Sequence, residues 1–196
     1  MNYPNGLHKE TSNNIVNYGN RGMVLEDDLN ITNEYYREMD IAVIYKKPTP
    51  ITIHKVNYKS RDNAFIEKAS FKIPSTTDYN GIYRGKYIDF EAKETRSKTS
   101  FPLANIHEHQ LKHLDAIVNQ GGIGFIIVRF VTLNKTYVLM WENIKDFING
   151  DTRKSIPLSY FEKKGKLIGI SLRPRLNYLK CIDEVMYEKH EKSDFR

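Results

Sequence analysis

The sequence predicts a single α/β domain with a mixed β-sheet flanked by helices. Segments with helix-spaced apolar residues alternate with segments that read as strands, which is the order expected when helices pack against a sheet. A chain of 196 residues with 40% hydrophobic residues is long enough for one buried core. No internal repeat or second domain is evident. We expect the domain to span residues 15–190, with a flexible arm at 1–14 and a flexible tail at 191–196.

The charge of the chain favours a polyanionic partner. Its formal net charge is +6, and nucleic acid is the common partner of such proteins, although a basic enzyme with another substrate would have the same balance. Cys181 is the one cysteine, so an intramolecular disulfide is impossible and a cytoplasmic location is expected. Residues 1–20 lack the apolar region of a signal peptide, and the longest apolar run, 123–131, is too short to cross a bilayer. We therefore expect no membrane association.

The first predicted elements are a helix and a strand. The Gly-Asn-Arg-Gly step at residues 19–22 is a turn signal, and apolar residues then recur at roughly helical spacing to about Tyr36. Glu26 lies in the first turns of this helix, where the helix dipole favours a carboxylate; alternatively, it is an extra carboxylate near a metal site. Residues 40–46 read as a strand, which the prolines at positions 48 and 50 end.

Residues 47–72 predict a basic excursion from the domain. The segment is rich in β-branched and aromatic residues, yet its apolar residues are too dispersed for a buried element. Positions 46 to 72 hold seven basic residues against two acidic ones. Such charge on a poorly packed segment favours contact with DNA phosphates, which would give affinity rather than sequence selectivity. A solvated hairpin whose charges serve solubility is the alternative.

The strand that ends at residues 90–93 organises the predicted site. Successive side chains of a strand point to opposite sides, so this strand has one apolar and one polar face. The apolar face carries Ile88, Phe90 and Ala92. The polar face carries Tyr87, Asp89, Glu91 and Lys93. A carboxylate and an ammonium two residues apart on the polar face form a compact candidate site.

A hairpin closed at Arg84 and Gly85 would complete this site. Its register would place Asp78 opposite Glu91, and Thr76 opposite Lys93, with all four side chains on one face. A turn at residues 79–81 is also compatible with the sequence. Opposed carboxylates repel unless a cation lies between them, and their hard oxygens suit Mg²⁺. From the residue types alone, a surface strand that pairs a Glu with a Lys remains the other interpretation.

The second half of the chain predicts alternating helices and strands. Residues 105–120 read as an amphipathic helix that Asn105 caps and a Gly-Gly pair ends. Three histidines lie on this helix, but no cysteine or carboxylate pattern completes a zinc set, so we expect them to face solvent or DNA. The later elements are strands at 123–131, 137–141 and 167–172, and helices at 142–149, 157–163 and 178–188.

Several segments resemble the RecU family of Holliday junction resolvases, within the PD-(D/E)xK nuclease superfamily. Asp78 followed by Glu91-Ala92-Lys93 is similar to the superfamily motif, with Thr77 where the motif name has proline. The flanking segments are more specific, and the resemblance runs from about Asn17 to the C-terminal region. They are YGNRGM (18–23), LE (25–26), STTDYNG (75–81), FEAKET (90–95) and NIHEHQ (105–110).

The resemblance implies a restriction-endonuclease-like fold and a homodimeric, Mg²⁺-dependent enzyme that cuts four-way DNA junctions symmetrically, with Mn²⁺ as a possible substitute. The residues that match the family's metal ligands are Thr76, Asp78, Glu91 and Gln110. Lys93 matches the lysine that stabilises the transition state, and Glu26 matches a helical glutamate that assists the metal centre. Family members also carry a protruding stalk, and the basic segment 47–72 occupies the matching place.

We therefore predict an endodeoxyribonuclease that resolves Holliday junctions in homologous recombination and DNA repair, with Asp78, Glu91, Lys93 and Glu26 as catalytic residues. Its expected partners are four-way junction DNA, a second copy of the chain, and recombinase and branch-migration proteins at the nucleoid. The alternative is a non-catalytic junction-binding protein that modulates a recombinase. DNA contacts are predicted for Lys46, Lys55, Lys59, Arg61, Lys68, Arg84 and Lys86.

Overall fold

The structure is a computed structural model that describes residues 25–58, 64–72, 76–150 and 152–193, with side chains described as far as 186. The helices are α1 (Leu25–Glu38), α2 (Glu108–Asn119), α3 (Trp141–Gly150), α4 (Leu158–Lys164) and α5 (Tyr178–Ser193). The strands are β1 (Val43–Lys46), β2 (Ile51–Tyr58), β3 (Ala64–Phe71), β4 (Tyr79–Tyr83), β5 (Lys86–Thr95), β6 (Ser100–Pro102), β7 (Ile123–Phe130), β8 (Lys135–Met140), β9 (Ser155–Pro157) and β10 (Lys166–Leu167).

The centre of the fold is a six-stranded sheet in the order β1-β4-β5-β7-β8-β10. β5 and β7 pair in parallel, while the other neighbouring strands pair antiparallel. The parallel pair requires a crossover, and α2 provides it, because parallel strands cannot be joined by a tight turn. The predicted mixed α/β fold is therefore confirmed.

Helices cover both faces of the sheet and bury β7 completely. Phe125 and Ile127 of β7 belong to an apolar cluster that includes residues of α1 and α5. Ile126 and Val128 belong to a second cluster, which includes residues of α2, α3 and α4. Alternation along the strand places the two clusters on opposite faces. This double cover explains why β7 is apolar along most of its length; Arg129, the charged exception, pairs with Asp28 of α1.

The predicted stalk is a hairpin that stands outside the sheet. β2 and β3 pair only with each other, and every side chain of β3 is exposed. The hairpin is closed at its root by a hydrogen bond from the Lys72 N–H to the Pro50 carbonyl, at 2.9 Å. A segment with this composition cannot enter the core, because its charged side chains would lose their hydration without partners. Residues 59–63, which follow β2 and precede β3 in the sequence, lie outside the described residues.

Some element boundaries differ from the sequence prediction. His107, rather than Asn105, is the N-cap of α2, because residues 103–105 form a separate 3₁₀ turn. β6 pairs with β9 across a long sequence separation that no local pattern indicates. The predicted arm at 1–14 lies outside the described residues, and α5 extends to Ser193, within the predicted tail. No helix in the described part of the chain is long and apolar enough to span a membrane.

Candidate active site

The β4–β5 hairpin carries the candidate site, and its register is the predicted one. Arg84 and Gly85 form the turn with φ values of 48° and 74°, both in the left-handed region that a tight hairpin turn requires. The pairing runs from Tyr83 opposite Lys86 to Tyr79 opposite Phe90. Continuing this register places Asp78 opposite Glu91.

The alternative turn at residues 79–81 does not form, because these residues lie inside β4. Gly81 is needed there for a different reason. β1 passes so close that a Cβ atom on Gly81 would lie 2.0 Å from the Val43 carbonyl oxygen. A glycine that resembles a turn signal therefore permits close packing of two strands.

The two predicted carboxylates come together at the end of this hairpin. The Asp78 backbone N–H donates to Glu91 Oε2 at 3.1 Å, and the Ala92 N–H lies 3.4 Å from Asp78 Oδ2. Glu91 is fully buried, and its Oε1 forms an ion pair with Lys93 Nζ. The predicted acid–acid–lysine group is thus assembled on one face of the sheet, the face that α2 packs against.

The electrostatics of this group favour a cation. The pKa of Glu91 is raised to about 7, chiefly because burial disfavours its charged form and also because the Asp78 carboxyl lies close. Lys93 opposes this shift but does not overcome it. A divalent cation between the carboxylates would relieve their repulsion and hold both in the charged form, so the donor chemistry fits a hard ion such as Mg²⁺.

The other two predicted metal ligands, Gln110 and Thr76, lie on segments outside the two paired strands of the hairpin. Gln110 is buried in the first turn of α2, where its Oε1 accepts a hydrogen bond from the His107 N–H at 3.0 Å. This oxygen keeps a second lone pair for a metal ion. Thr76 is half-buried and lies three residues before the start of β4. Among the described residues, no three His, Cys, Asp or Glu side chains are grouped to hold a metal ion.

Glu26 lies in the first turn of α1 and pairs with Lys46 at an exposed position. The start of this helix is attached to β5, because the Leu25 N–H donates to Glu94 Oε1 at 2.7 Å. The charges of Glu26 and Asp78 both contribute to the raised pKa of the Tyr79 hydroxyl, after burial. Glu26 is therefore near the hairpin, but its partner in this structure is a lysine.

The predicted DNA-contacting cations lie mostly on exposed surfaces, and several have acidic partners within the chain. In the stalk, Lys55 Nζ lies 2.7 Å from Glu67 Oε1, and Lys68 is the residue opposite Lys55 in the hairpin register. At the β4–β5 turn, Arg84 is 3.3 Å from Asp183 and Lys86 is exposed. Lys59 and Arg61 lie outside the described residues.

Residues 20–184 of the chain match the family model described as RecU, Recombination protein U. The chain belongs to the RecU family. This membership confirms the resemblance seen in the motif segments. A RecU-family protein of Geobacillus sp. strain WCH70, named Holliday junction resolvase RecU, is 51% identical over 199 residues and covers 94% of this chain and 97% of its own length.

Two further RecU relatives carry the same name. The protein of Oceanobacillus iheyensis is 49% identical, with 95% of this chain and 100% of the relative covered. That of Staphylococcus saprophyticus is 46% identical, with 97% and 99% covered. A solved structure titled Archaeoglobus fulgidus Hjc, a Holliday junction resolvase, aligns with a TM-score of 0.40 and 8% identity over 69% of this chain and 92% of that one, too weak a similarity to bear on fold or function.

The sequence pattern of this RecU-family chain indicated no role for Asp89, which lies beside the candidate site. Asp89 is fully buried two residues before Glu91, and it accepts hydrogen bonds from Thr77, Lys47, Tyr87 and His113. The strand alternation had placed Asp89 on the polar face, which was the available signal. Its partners come from separate segments, and only the folded chain brings them together.

Proposed function

We propose that this chain is a Holliday junction resolvase, an endodeoxyribonuclease that makes symmetric cuts in four-way DNA junctions during recombination and repair. The observation that carries the proposal is the assembly of Asp78, Glu91 and Lys93 on one hairpin. Support comes from RecU relatives named Holliday junction resolvase that match almost the whole chain.

In the proposed mechanism, Asp78 and Glu91 hold a divalent cation, with Gln110 Oε1 and a Thr76 oxygen as further ligands. We propose Mg²⁺, with Mn²⁺ as a substitute, because hard carboxylate and amide oxygens suit such ions. When bound, the cation would supply an activated water and neutralise charge on the cleaved phosphate.

Lys93 has a separate role in the proposal. Its side chain is 25% exposed and lies on the same face of β5 as Glu91. A DNA strand placed over the carboxylates would therefore bring a phosphate within reach of this ammonium. A fixed positive charge at that position stabilises the negative charge that develops in the transition state.

The assembly follows from the symmetry of the substrate. Two opposed cuts in one junction need two active sites, and a C₂ dimer presents them in opposite polarity. We propose that the basic stalk hairpin holds the arms of the junction through phosphate contacts. We also propose action in the cytoplasm at the nucleoid, alongside recombinase and branch-migration proteins.

A non-catalytic junction-binding role is the second candidate. It is favoured by the ion pair between Lys93 and Glu91, because an internal pair of this kind also serves a purely structural hairpin. The two candidates differ in one property: only the nuclease requires a cation for a chemical change in the DNA.

An end-labelled four-way junction, incubated with and without Mg²⁺, tests the proposal. The wild-type protein should make paired symmetric nicks only with the cation. Asp78→Asn should lower the cleavage rate by at least about 100-fold, because one charged ligand is lost, while junction binding in EDTA is retained.

The matched control for Asp78→Asn is Asp115→Asn. Asp115 is a carboxylate on α2 whose partners are Trp141 and Lys145, away from the hairpin. This variant should cut at the wild-type rate. Junction binding by the wild-type protein without cleavage in any divalent cation would favour the architectural role.

A further inference from the structure

Lys47 lies where the stalk leaves the sheet, next to the candidate site. It follows β1 directly and precedes the prolines that begin the stalk. Its backbone N–H donates to the Asp78 carbonyl oxygen at 2.8 Å. The root of the stalk is therefore attached to the residue that supplies a proposed metal ligand.

The side chain of Lys47 makes a second attachment to the same segment. Lys47 Nζ lies 3.0 Å from Thr77 Oγ1 and 2.8 Å from Asp89 Oδ2, and the side chain is only 17% exposed. Thr77 Oγ1 also donates to Asp89 Oδ1. Lys47, Thr77 and Asp89 thus form a closed polar triangle, and one of its members, Thr77, directly precedes Asp78.

The third member of the triangle is held from two other directions. The Tyr87 hydroxyl donates to Asp89 Oδ2 at 3.0 Å, and His113 Nε2 of α2 lies 3.2 Å from the same oxygen. Asp89 is fully buried in the middle of β5, between paired strands. It is therefore a rigid reference point, and a group bonded to it has little freedom to move.

We infer that Lys47 is a positioning residue that fixes the segment from Thr76 to Asp78 against β5. This inference rests on the proposed function, since the purpose of the fixed segment is to keep the Asp78 carboxylate opposite Glu91 for the cation. Second-sphere contacts of this kind orient ligands, and their loss costs about 10- to 100-fold in metal affinity or activity.

Two simpler roles for Lys47 make different predictions. If the lysine only neutralises the buried charge of Asp89, then removing both charges together should restore the wild-type melting temperature and cleavage rate. If the lysine contacts DNA phosphate, its loss should weaken junction binding. The inward direction of Nζ, toward Thr77 and Asp89, favours positioning over phosphate contact.

The test compares Lys47→Met with the double variant Lys47→Met/Asp89→Asn. Lys47→Met leaves a buried carboxylate without its cation, so it could lower the melting temperature strongly. The double variant removes that unbalanced charge while it still lacks the link to Thr77. Lys135→Met is the matched control, because Lys135 of β8 pairs with Glu162 of α4, away from the hairpin.

Four measurements separate the roles: melting temperature, junction affinity in EDTA, single-turnover cleavage with Mg²⁺, and amide hydrogen exchange of the metal-free protein. We expect the double variant to approach the wild-type melting temperature and junction affinity but to cleave about 10- to 100-fold more slowly. Amide hydrogen exchange of the metal-free protein should also accelerate over residues 76–79 in both Lys47 variants, and Lys135→Met should match the wild type throughout.

Recovery of the cleavage rate in the double variant would overturn the inference in favour of charge neutralisation. A loss of junction affinity that accounts for the slower cleavage would overturn it in favour of phosphate contact. An unchanged rate and unchanged exchange in both variants would also overturn it. A wild-type protein that does not cut junctions is a separate result, which contradicts the proposed function and leaves the exchange measurement to decide the role of Lys47.

Discussion

At the scale of single residues, Glu91 has the most unusual environment of the candidate site. Its carboxyl is fully buried and lies beside a second carboxyl, which together raise its pKa to about 7. Without a cation, the folded protein therefore keeps Glu91 protonated up to a higher pH than an exposed glutamate. Functional sites that bind a charged ligand commonly contain side chains whose pKa is shifted in this way.

The pH dependence of metal-free stability tests this environment. Because the folded-state pKa of Glu91 is raised from 4.5 to about 7, its contribution to stability is complete below the lower value and is lost as the pH rises through the upper one. Between about pH 5 and about pH 8 the free energy of unfolding should fall by up to about 3 kcal/mol from this group. Urea unfolding in EDTA measures the fall.

Glu91→Gln provides the comparison, since the amide cannot titrate. The variant should show a clearly smaller decline in unfolding free energy over the same pH range. Equal declines in the two proteins would mean that Glu91 titrates at an ordinary pH and that its burial in the fold has been misassigned.

At the scale of elements, the stalk hairpin lies outside the hydrophobic core. Its strands pair only with each other, and Phe65, Ile66 and Phe71 are exposed among its charges. Lys55 forms an ion pair with Glu67. Lys68 lies opposite Lys55 on the neighbouring strand β3, all of whose side chains are exposed. Lys68 is thus the described stalk cation that we expect to contribute most directly to phosphate binding.

The salt dependence of junction binding tests the stalk. In Lys68→Met, the slope of log affinity against log salt concentration should fall by about 1, because one phosphate contact is lost. Lys164→Met, at the end of α4, is the matched control and should keep the wild-type slope. Fluorescence anisotropy with a labelled junction in EDTA gives both slopes. Equal slopes for the wild type and Lys68→Met would remove Lys68 from the phosphate-binding surface.

At the scale of the whole molecule, an aromatic stack connects the elements behind the site. The ring of Phe90 lies parallel to those of Tyr79 and Phe125, with centroid distances of 4.8 Å and 4.7 Å. Tyr178 of α5 packs against Phe90 at 5.2 Å. Three neighbouring strands and the last helix therefore meet at Phe90, directly behind the polar face that carries Glu91.

Replacement of Phe90 tests this connection. Phe90→Ala should lower the free energy of unfolding by about 3–5 kcal/mol, because it removes a fully buried ring and leaves a cavity among other rings. Phe71→Ala is the matched control, as its side chain is 82% exposed, and it should change stability by less than about 0.5 kcal/mol. Chemical denaturation of dilute protein measures both. Similar losses in the two variants would contradict the central role of the stack.

Several local features of this protein can be predicted from its residues alone. The alternation of residues 87–93 separated a polar from an apolar face. Two turn positions were compatible with the sequence, and the one at Arg84 and Gly85, which pairs Asp78 with Glu91, is the one that forms. The charge and poor packing of residues 47–72 indicated an excursion, which the exposed β2–β3 hairpin confirms. These features depend on neighbouring residues in the chain, so a single sequence contains them.

The features that join distant segments become visible only in the folded chain. Gly81 resembles part of a turn but serves the close approach of β1, and Asn105 resembles an N-cap although a 3₁₀ turn moves the cap to His107. No sequence pattern indicated the polar triangle of Lys47, Thr77 and Asp89. Burial sets the strength of such contacts, and burial depends on which elements pack together, so local sequence pattern could not reveal it.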